Sequence, residues 1–469
     1  MRRAASKFFA LEDEQVVVDP NAPVIPVESV NPAEPAEEIV VVDIGDNADS
    51  LETDMIEIGE TVADQDIVED KIDDAGEVIE ALEGIAEILT VAAANGGMNQ
   101  HAMEAISIST AYLYKRAGFT AKPMPAMESF ATTSGRIEGT KAALEDVKET
   151  LSKIWDAIMS GIKKSIEWAH DFYMRIILAF DKVGKRAKDL SAKAKSLENK
   201  ASSEPKENII KNERLAKALS KDGKPFPDAK YIELIADILP KGTFSYFCEA
   251  YHVFMEAAKG DGWDTTFIDN SSIKANLVNN DQHLKIVSNP ESIGYEKPDT
   301  EGISLYRGVE LPGGKAIVAY LTNKDAKGEE AVRLFEKLSA GINDFDKKKT
   351  THVSEEIAVI EYSKLESLLG AVEKICEHAS HLKEVADELM DDKKEILAHA
   401  DKCAKLVKDI DSGDVEATTN NRKNISAYQR VTKKYASLND QPIASILQYT
   451  LYTCKAVEDY AEECLKQYA

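Results

Sequence analysis

Apolar residues recur every three or four positions from Leu144 through Ile154, Ile166, Ile176 and Leu190 to Leu197. That spacing places them on one face of an α-helix and predicts a single helix over 144–197. At 1.5 Å per residue it would extend about 80 Å. Gly161 and Gly184 interrupt it, each costing about 1 kcal/mol relative to Ala, and either marks a candidate bend. The end of the stripe, Lys182–Lys200, is basic with small residues and reads as solvated or partner-facing. A second stripe runs from Leu365 to Ile410 and is broken only at Lys393. It spans more than six heptads and predicts a coiled-coil-like helix ended by Ser412-Gly413. Two shorter helical patterns follow, at 422–438 and from Pro442 to Tyr468, with Pro442 suited to a first helical turn.

Residues 226–362 carry a different pattern. Helical spacing at 229–238, 243–258 and 328–340 alternates with short strand-like runs. These are Thr265–Ile268, Leu284–Val287, Ile303–Val309, Ala316–Leu321 and Ile357–Tyr362. Leu311-Pro312-Gly313-Gly314 reads as the turn of a hairpin. The segment is expected to form a small α+β module.

The N-terminal part reads differently again. Over 12–75, Pro20, Pro23, Pro26, Pro32 and Pro35 interrupt regular structure, and aromatics are nearly absent. Such a segment cannot bury enough surface to offset chain entropy and is expected to be disordered. Val78, Leu82, Ile85 and Leu89 predict a short helix over 77–95. Another is predicted over 100–116, with Gly96-Gly97 between them. The predicted fold is mainly α. It has long amphipathic, coiled-coil-like helices, an inserted small α+β module and a disordered acidic N-terminal leader. The expected divisions are a leader at 1–128, a long helix and basic linker at 129–225, the module at 226–362 and a C-terminal helical bundle at 363–469. The two stripes should pack against each other or against the C-terminal helix. The leader should make few contacts with the body.

Charge sharpens the first boundary. Residues 1–128 hold 27 acidic and 7 basic residues, whereas 129–469 hold 56 and 50. A net of −20 therefore precedes a body of net −6. The leader would repel nucleic-acid phosphate and could bind a basic surface. Cysteines 248, 376, 403, 454 and 464 are odd in number and irregular in spacing, which fits reduced core thiols and an intracellular site of synthesis. The apolar part of the N-terminus is too short for a secretory signal, and no apolar run approaches the ~20 residues of a membrane span.

Candidate chemistry is sparse. Cys376, His378 and His381, and His399 with Cys403, resemble ligand pairs, but the spacing of a structural zinc site is missing. Gly139-Thr140-Lys141 and Gly313-Gly314-Lys315 lack the full phosphate-loop pattern. No nucleophile–base constellation stands out among 8 scattered histidines. The expectation is a non-enzymatic protein with no catalytic residues, metal or cofactor. The aromatic and aliphatic cluster from Trp155 to Phe180, flanked by Lys163, Lys164 and Arg175, fits packing between helices better than a membrane surface.

The junction reads Pro123-Met124-Pro125-Ala126-Met127-Glu128-Ser129. Ala126-Met127-Glu128-Ser129 resembles the processing site of the internal head proteins of giant tailed phages. In that family a prohead protease cuts after the Glu of a small-x-Glu motif, removes an acidic propeptide, and leaves a mature protein packaged within the capsid. Similar triplets occur at 10–12, 50–52, 81–83, 102–104, 143–145 and 196–198. The copy at 126–128 differs in being held extended by flanking prolines and in lying at the charge boundary. The resemblance implies an internal virion structural protein cleaved after Glu128 and ejected with DNA. Synthesis would be in the host cytoplasm. The implied partners are the prohead protease, capsid or scaffold/core proteins, packaged DNA after cleavage, and other copies through the helices. The alternative is a cytoplasmic coiled-coil adaptor with a permanent acidic tail.

Overall fold

The computed structural model describes residues 55, 57–58, 74–119, 132–198, 204–238, 253–254, 256–257, 263–275, 284–349, 354–380, 398 and 415–468. Within these the fold is mainly α, and its length is set by one helix. Helices α1 (74–94) and α2 (Gln100–Arg116) form a hairpin. Helix α3 follows as one element of 66 residues, Thr133–Glu198, about 100 Å long. The Thr132 hydroxyl accepts from the Gly135 N–H at 3.0 Å and caps its start. Neither Gly161 nor Gly184 breaks α3. Gly184 answers to packing instead: a Cβ there would lie 3.3 Å from the Cβ of Cys376.

The mixed module begins earlier than the predicted boundary at 226. Strand β1 (Ile209–Lys211) pairs antiparallel with β10 (Glu356–Ala358), with Ile210 opposite Ile357. Between them lie α4 (Glu213–Ala218), β2 (Ser220–Lys221), β3 (Lys224–Pro225) and α5 (Ala229–Ile238). Then come α6 (Trp263–Asn270), β4 (Ser272–Ile273), β5 (Lys285–Ile286), β6 (Ile303–Arg307), β7 (Lys315–Thr322), β8 (Ala326–Lys327), α7 (Glu329–Glu336) and β9 (Ser339–Asp344). The main sheet has order β5-β6-β7-β9 and is antiparallel throughout. Pro312–Gly314 turns β6 into β7, as its sequence predicts, with Gly313 and Gly314 at φ 77° and 67°.

One predicted strand fails here, and one observed strand was not predicted. Thr265–Ile268 is helical, within α6. Its β-branched threonines suggest a strand, but Phe267 is fully buried and packs edge-on against Tyr428 at 5.3 Å. The Asn424 side chain also accepts from the Ile268 N–H at 2.7 Å. Conversely, 339–344 is strand rather than the end of a helix, pairing along β7 from Ser339–Tyr320 to Asp344–Lys315. Its sequence, Ser-Ala-Gly-Ile-Asn-Asp, has no apolar alternation to announce a strand.

Helix α8 (Tyr362–Ser380) carries the first part of the second stripe. Leu365, Leu368, Val372, Ile375 and Ala379 are all buried, and so are Leu369 and Ala371. The helix packs along α3 and α5. The rest of that stripe lies outside the described residues apart from Ala398, which is helical. Helix α9 runs unbroken from Val415 to Tyr468, 54 residues, so the two predicted helices are one and Pro442 lies in its interior. It packs against α3, α6, α7, α8 and β9. Trp155, Ile158, Phe172, Tyr173, Ile176 and Phe180 are buried, which bears out helix packing for that cluster. Among the described residues no helix is long and apolar enough to cross a membrane.

A buried ionic cluster fixes α3 against α9. The Arg186 guanidinium lies 3.1 Å from Asp459 and 2.7 Å from Glu462, with Glu458 at 3.5 Å. Arg214 of α4 and Lys455 converge on Asp459 at 2.7 and 2.8 Å. Glu458 is fully buried, and burial pushes its carboxyl well above the usual carboxylate range. Removing Arg186 would take the ion-pair partner at 3.5 Å from the buried Glu458 and one of three cations from Asp459, inside a low-dielectric contact. Arg186→Ala should therefore destabilise the chain by about 3–5 kcal/mol, read by urea unfolding. An effect below about 1 kcal/mol would show that the cluster is solvated in practice.

Candidate processing junction and leader–body interface

Ala126, Met127, Glu128 and Ser129 lie outside the described residues. Their flanks are described. Phe119 ends the leader hairpin and Thr132 begins the body. What the structure places at this junction is the surface that a cut would divide.

The leader hairpin folds onto the body rather than standing apart from it. Val78, Leu82 and Leu89 of α1 and Met103 of α2 are fully buried. They share one core cluster with Leu144, Val147, Ile154, Trp155, Ile158 and Met159 of α3. Complete burial contributes about 1.5–3 kcal/mol for each such side chain. The expectation of few leader–body contacts is corrected on this point. The α1 spacing of 78, 82, 85 and 89 supplies a stripe that fits the start of the α3 stripe, and neither can be covered by water without cost.

Polar contacts set the register. The Thr140 hydroxyl accepts from the Met98 N–H at 2.9 Å, and the Tyr114 hydroxyl donates to Asp146 at 3.1 Å. Gly97, at φ 78°, brings its backbone so close to α3 that a Cβ would lie 2.3 Å from the Arg136 carbonyl carbon. Only glycine fits that approach. Arg116 at the end of α2 reaches back to Asp74 at 2.8 Å and to Glu77, closing the hairpin.

A second side of the hairpin meets α9. Ser426 donates to the Glu83 carboxylate at 2.6 Å. Arg430 lies 3.4 Å from Glu80 and 2.7 Å from Glu336 of α7, and Arg422 donates to Thr90 at 3.4 Å. Further upstream, Met55 and Ile58 are helical and buried in the main core. Arg175 pairs with Glu57 at 2.6 Å, and Tyr452 donates to the Met55 carbonyl at 3.3 Å. The leader thus touches the body at two places. Alternation of acids at 80 and 83 with bases at 422, 430 and 433 was the available sequence signal, and it becomes visible only when the helices are paired.

Among the triplets named above, four are helical: 81–83 in α1, 102–104 in α2, and 143–145 and 196–198 in α3. Those at 10–12, 50–52 and 126–128 lie outside the described residues. Of the proposed metal ligands, Cys376 packs on Gly184 and the His378 ring bonds the Lys374 carbonyl at 2.8 Å. His381, His399 and Cys403 lie outside the described residues. Among the described residues no three His, Cys, Asp or Glu side chains converge as a metal site.

A family model for phiKZ-like phage internal head proteins matches residues 43–463, which covers most of the chain and both sides of the junction. The chain belongs to this family. It is a phage internal head structural protein, and its place is inside the phage head. No curated protein and no solved structure matches it.

In this internal head protein the hairpin contact carries a titratable group. Glu83 is half-buried as a residue, but its carboxylate is enclosed against α9, and burial raises it to about 7. Ser426, Arg430 and Arg422 pull it down, and Glu80 pushes it up. Burial also raises Glu336 across the contact. A raised acid holds its proton in the docked state while the free chain has lost it. Docking is therefore favoured at low pH and weakens as pH rises from about 4.5 to about 7, by at most about 3 kcal/mol from Glu83. Above that window the penalty is constant. Glu83→Gln should remove the Glu83 share of the stability change across pH 5–7, followed by thermal unfolding, and leave the shares of Glu336 and Glu458 in place. An unchanged profile would assign the titration to another group.

Proposed function

We propose that this internal head protein is made as a precursor and is cut after Glu128 during head maturation, and that the body from Ser129 onward is the packaged form. The reading rests on the Ala126-Met127-Glu128 motif at the point where the net charge changes from −20 to −6. It is supported by the helical setting of four competing triplets, since a protease needs an extended substrate. The family match on both sides of the junction favours it over a cytoplasmic adaptor.

On this reading the leader has two parts with different work. Residues 1–73 hold 20 acidic and 4 basic residues, and residues 74–119 hold 6 and 2. The first part supplies the field that would attract a basic capsid or scaffold/core surface and keep the body away from DNA. The second part docks. Cleavage by a prohead protease ends the covalent link to the leader, and once the acidic residues ahead of the hairpin are lost the near-neutral body is compatible with packed DNA and with ejection alongside it. The helices offer faces for self-association. The role is structural rather than catalytic. N-terminal sequencing and intact mass of the protein from native particles should give a chain beginning at Ser129. A native chain that still begins near Met1 would sink the precursor reading.

A further inference from the structure

We propose that the trough formed by the start of α3 and the first half of α9 is a binding surface for the leader hairpin that persists after the chain is cut. Cutting then yields a two-chain protein, with the hairpin retained as a separate subunit. This rests on the proposed cut after Glu128 and adds that the cut alone does not strip the leader from the body.

The occupant is residues 74–119 of this chain, and the structure seats it there. Among the described residues, the core cluster around Trp155 consists of leader residues and residues 143–159 of α3. Trp155 and Ile158 are therefore covered by the hairpin and by their own helix. The contacts that hold the hairpin cross from chain to chain without using the 120–131 tether. Leu82 and Leu89 are fully buried. Glu83 is held by Ser426, and the Met98 N–H by Thr140. Gly97 lies against the backbone of Arg136 as closely as chain geometry allows. A tether break between 119 and 132 removes none of these. The trough also selects its occupant: an apolar floor on α3 and a basic edge at Arg422 and Arg430 require a helix with an apolar stripe and an acidic flank. Helix α1, with Val78, Leu82 and Leu89 beside Glu80 and Glu83, has both.

The test uses the full chain with a recognition sequence for a heterologous site-specific protease inserted between Pro125 and Ala126. After cutting, the two pieces should travel together in size-exclusion chromatography at low micromolar concentration, identified by mass spectrometry. Leu82→Asp in the same chain should release the leader piece on cutting, with its dissociation constant raised 100-fold or more. Glu83→Lys, which sets like charge against Arg430, should weaken retention in the same direction and perturbs the apolar floor less. Separation of the unsubstituted pieces at micromolar concentration would overturn the proposal. Retention of the leader with both substitutions at the unsubstituted strength would also overturn it, by placing the hold outside the trough. Because this cut is engineered, neither outcome bears on whether the native chain begins at Ser129.

Discussion

A helix of 66 residues cannot bury its own apolar stripe, and the rest of the structure follows from covering it. Helix propensity makes α3 possible, but packing makes it stable. Among the described residues no single neighbour is as long: α9 has 54 residues and α8 has 19. The stripe is covered in two lengths by different partners. Toward its C-terminal end α8 and α9 lie along it, with Phe172, Ile176, Val183 and Leu190 in the main core. Toward its start the leader hairpin covers Leu144 through Met159. The second covering belongs to the segment that carries most of the charge asymmetry. The full chain is therefore a folding unit in which residues 74–119 supply part of the core.

That arrangement separates charge from docking. If the acids themselves lay in the packed helices, each would need a partner or suffer desolvation. Most of them instead precede residue 74, and among these Glu57 pairs with Arg175 at the surface of α3. The few in the hairpin are placed at its edges: Asp74 and Glu77 on Arg116, Glu80 near Arg430, and Glu83 on Ser426. Only Glu83 is enclosed enough for burial to dominate its titration. A field generator can thus be attached to a folded body without destabilising it, because the two tasks fall on different stretches of chain.

The strongly periodic elements were legible in the sequence. The 3-4 spacing through Leu144, Ile154, Ile176 and Leu190 predicts α3, and the burial of those residues explains why the period is so regular. The same holds for Leu365, Leu368 and Val372 in α8, and for the Leu311–Gly314 turn between two apolar runs. Elements whose cause is tertiary were not legible. Strand β9 has no alternation of its own and exists because β7 presents a free edge beside it. Helix α6 contains two threonines that favour strand, and Phe267 in the core outweighs them. Pro442 reads as a helix start, yet a helix already packed on both sides can carry a proline despite its lost hydrogen bond. The docking of the leader was hidden for the same reason: Gly97 and Ser426 acquire meaning only once α1, α3 and α9 lie side by side.

Cutting a tether changes the thermodynamics of a contact without changing the contact. While 120–131 joins them, hairpin and body meet at an effective concentration set by a short link, of order millimolar for a flexible one. Once it is cut, occupancy depends on the actual concentration of both pieces and on the intrinsic affinity. In dilute solution that is a large change. Inside a closed head, where this family resides, released pieces cannot escape into bulk volume, and the change is far smaller. The same cut can therefore leave the fold undisturbed while the protein is enclosed and make the leader dissociable once it is diluted. The interface is suited to such a change, since its apolar floor gives affinity and its Glu83 contact lets acidity adjust that affinity. If the chain is cut as proposed, how far the body keeps the leader's contribution to its core is then set by confinement.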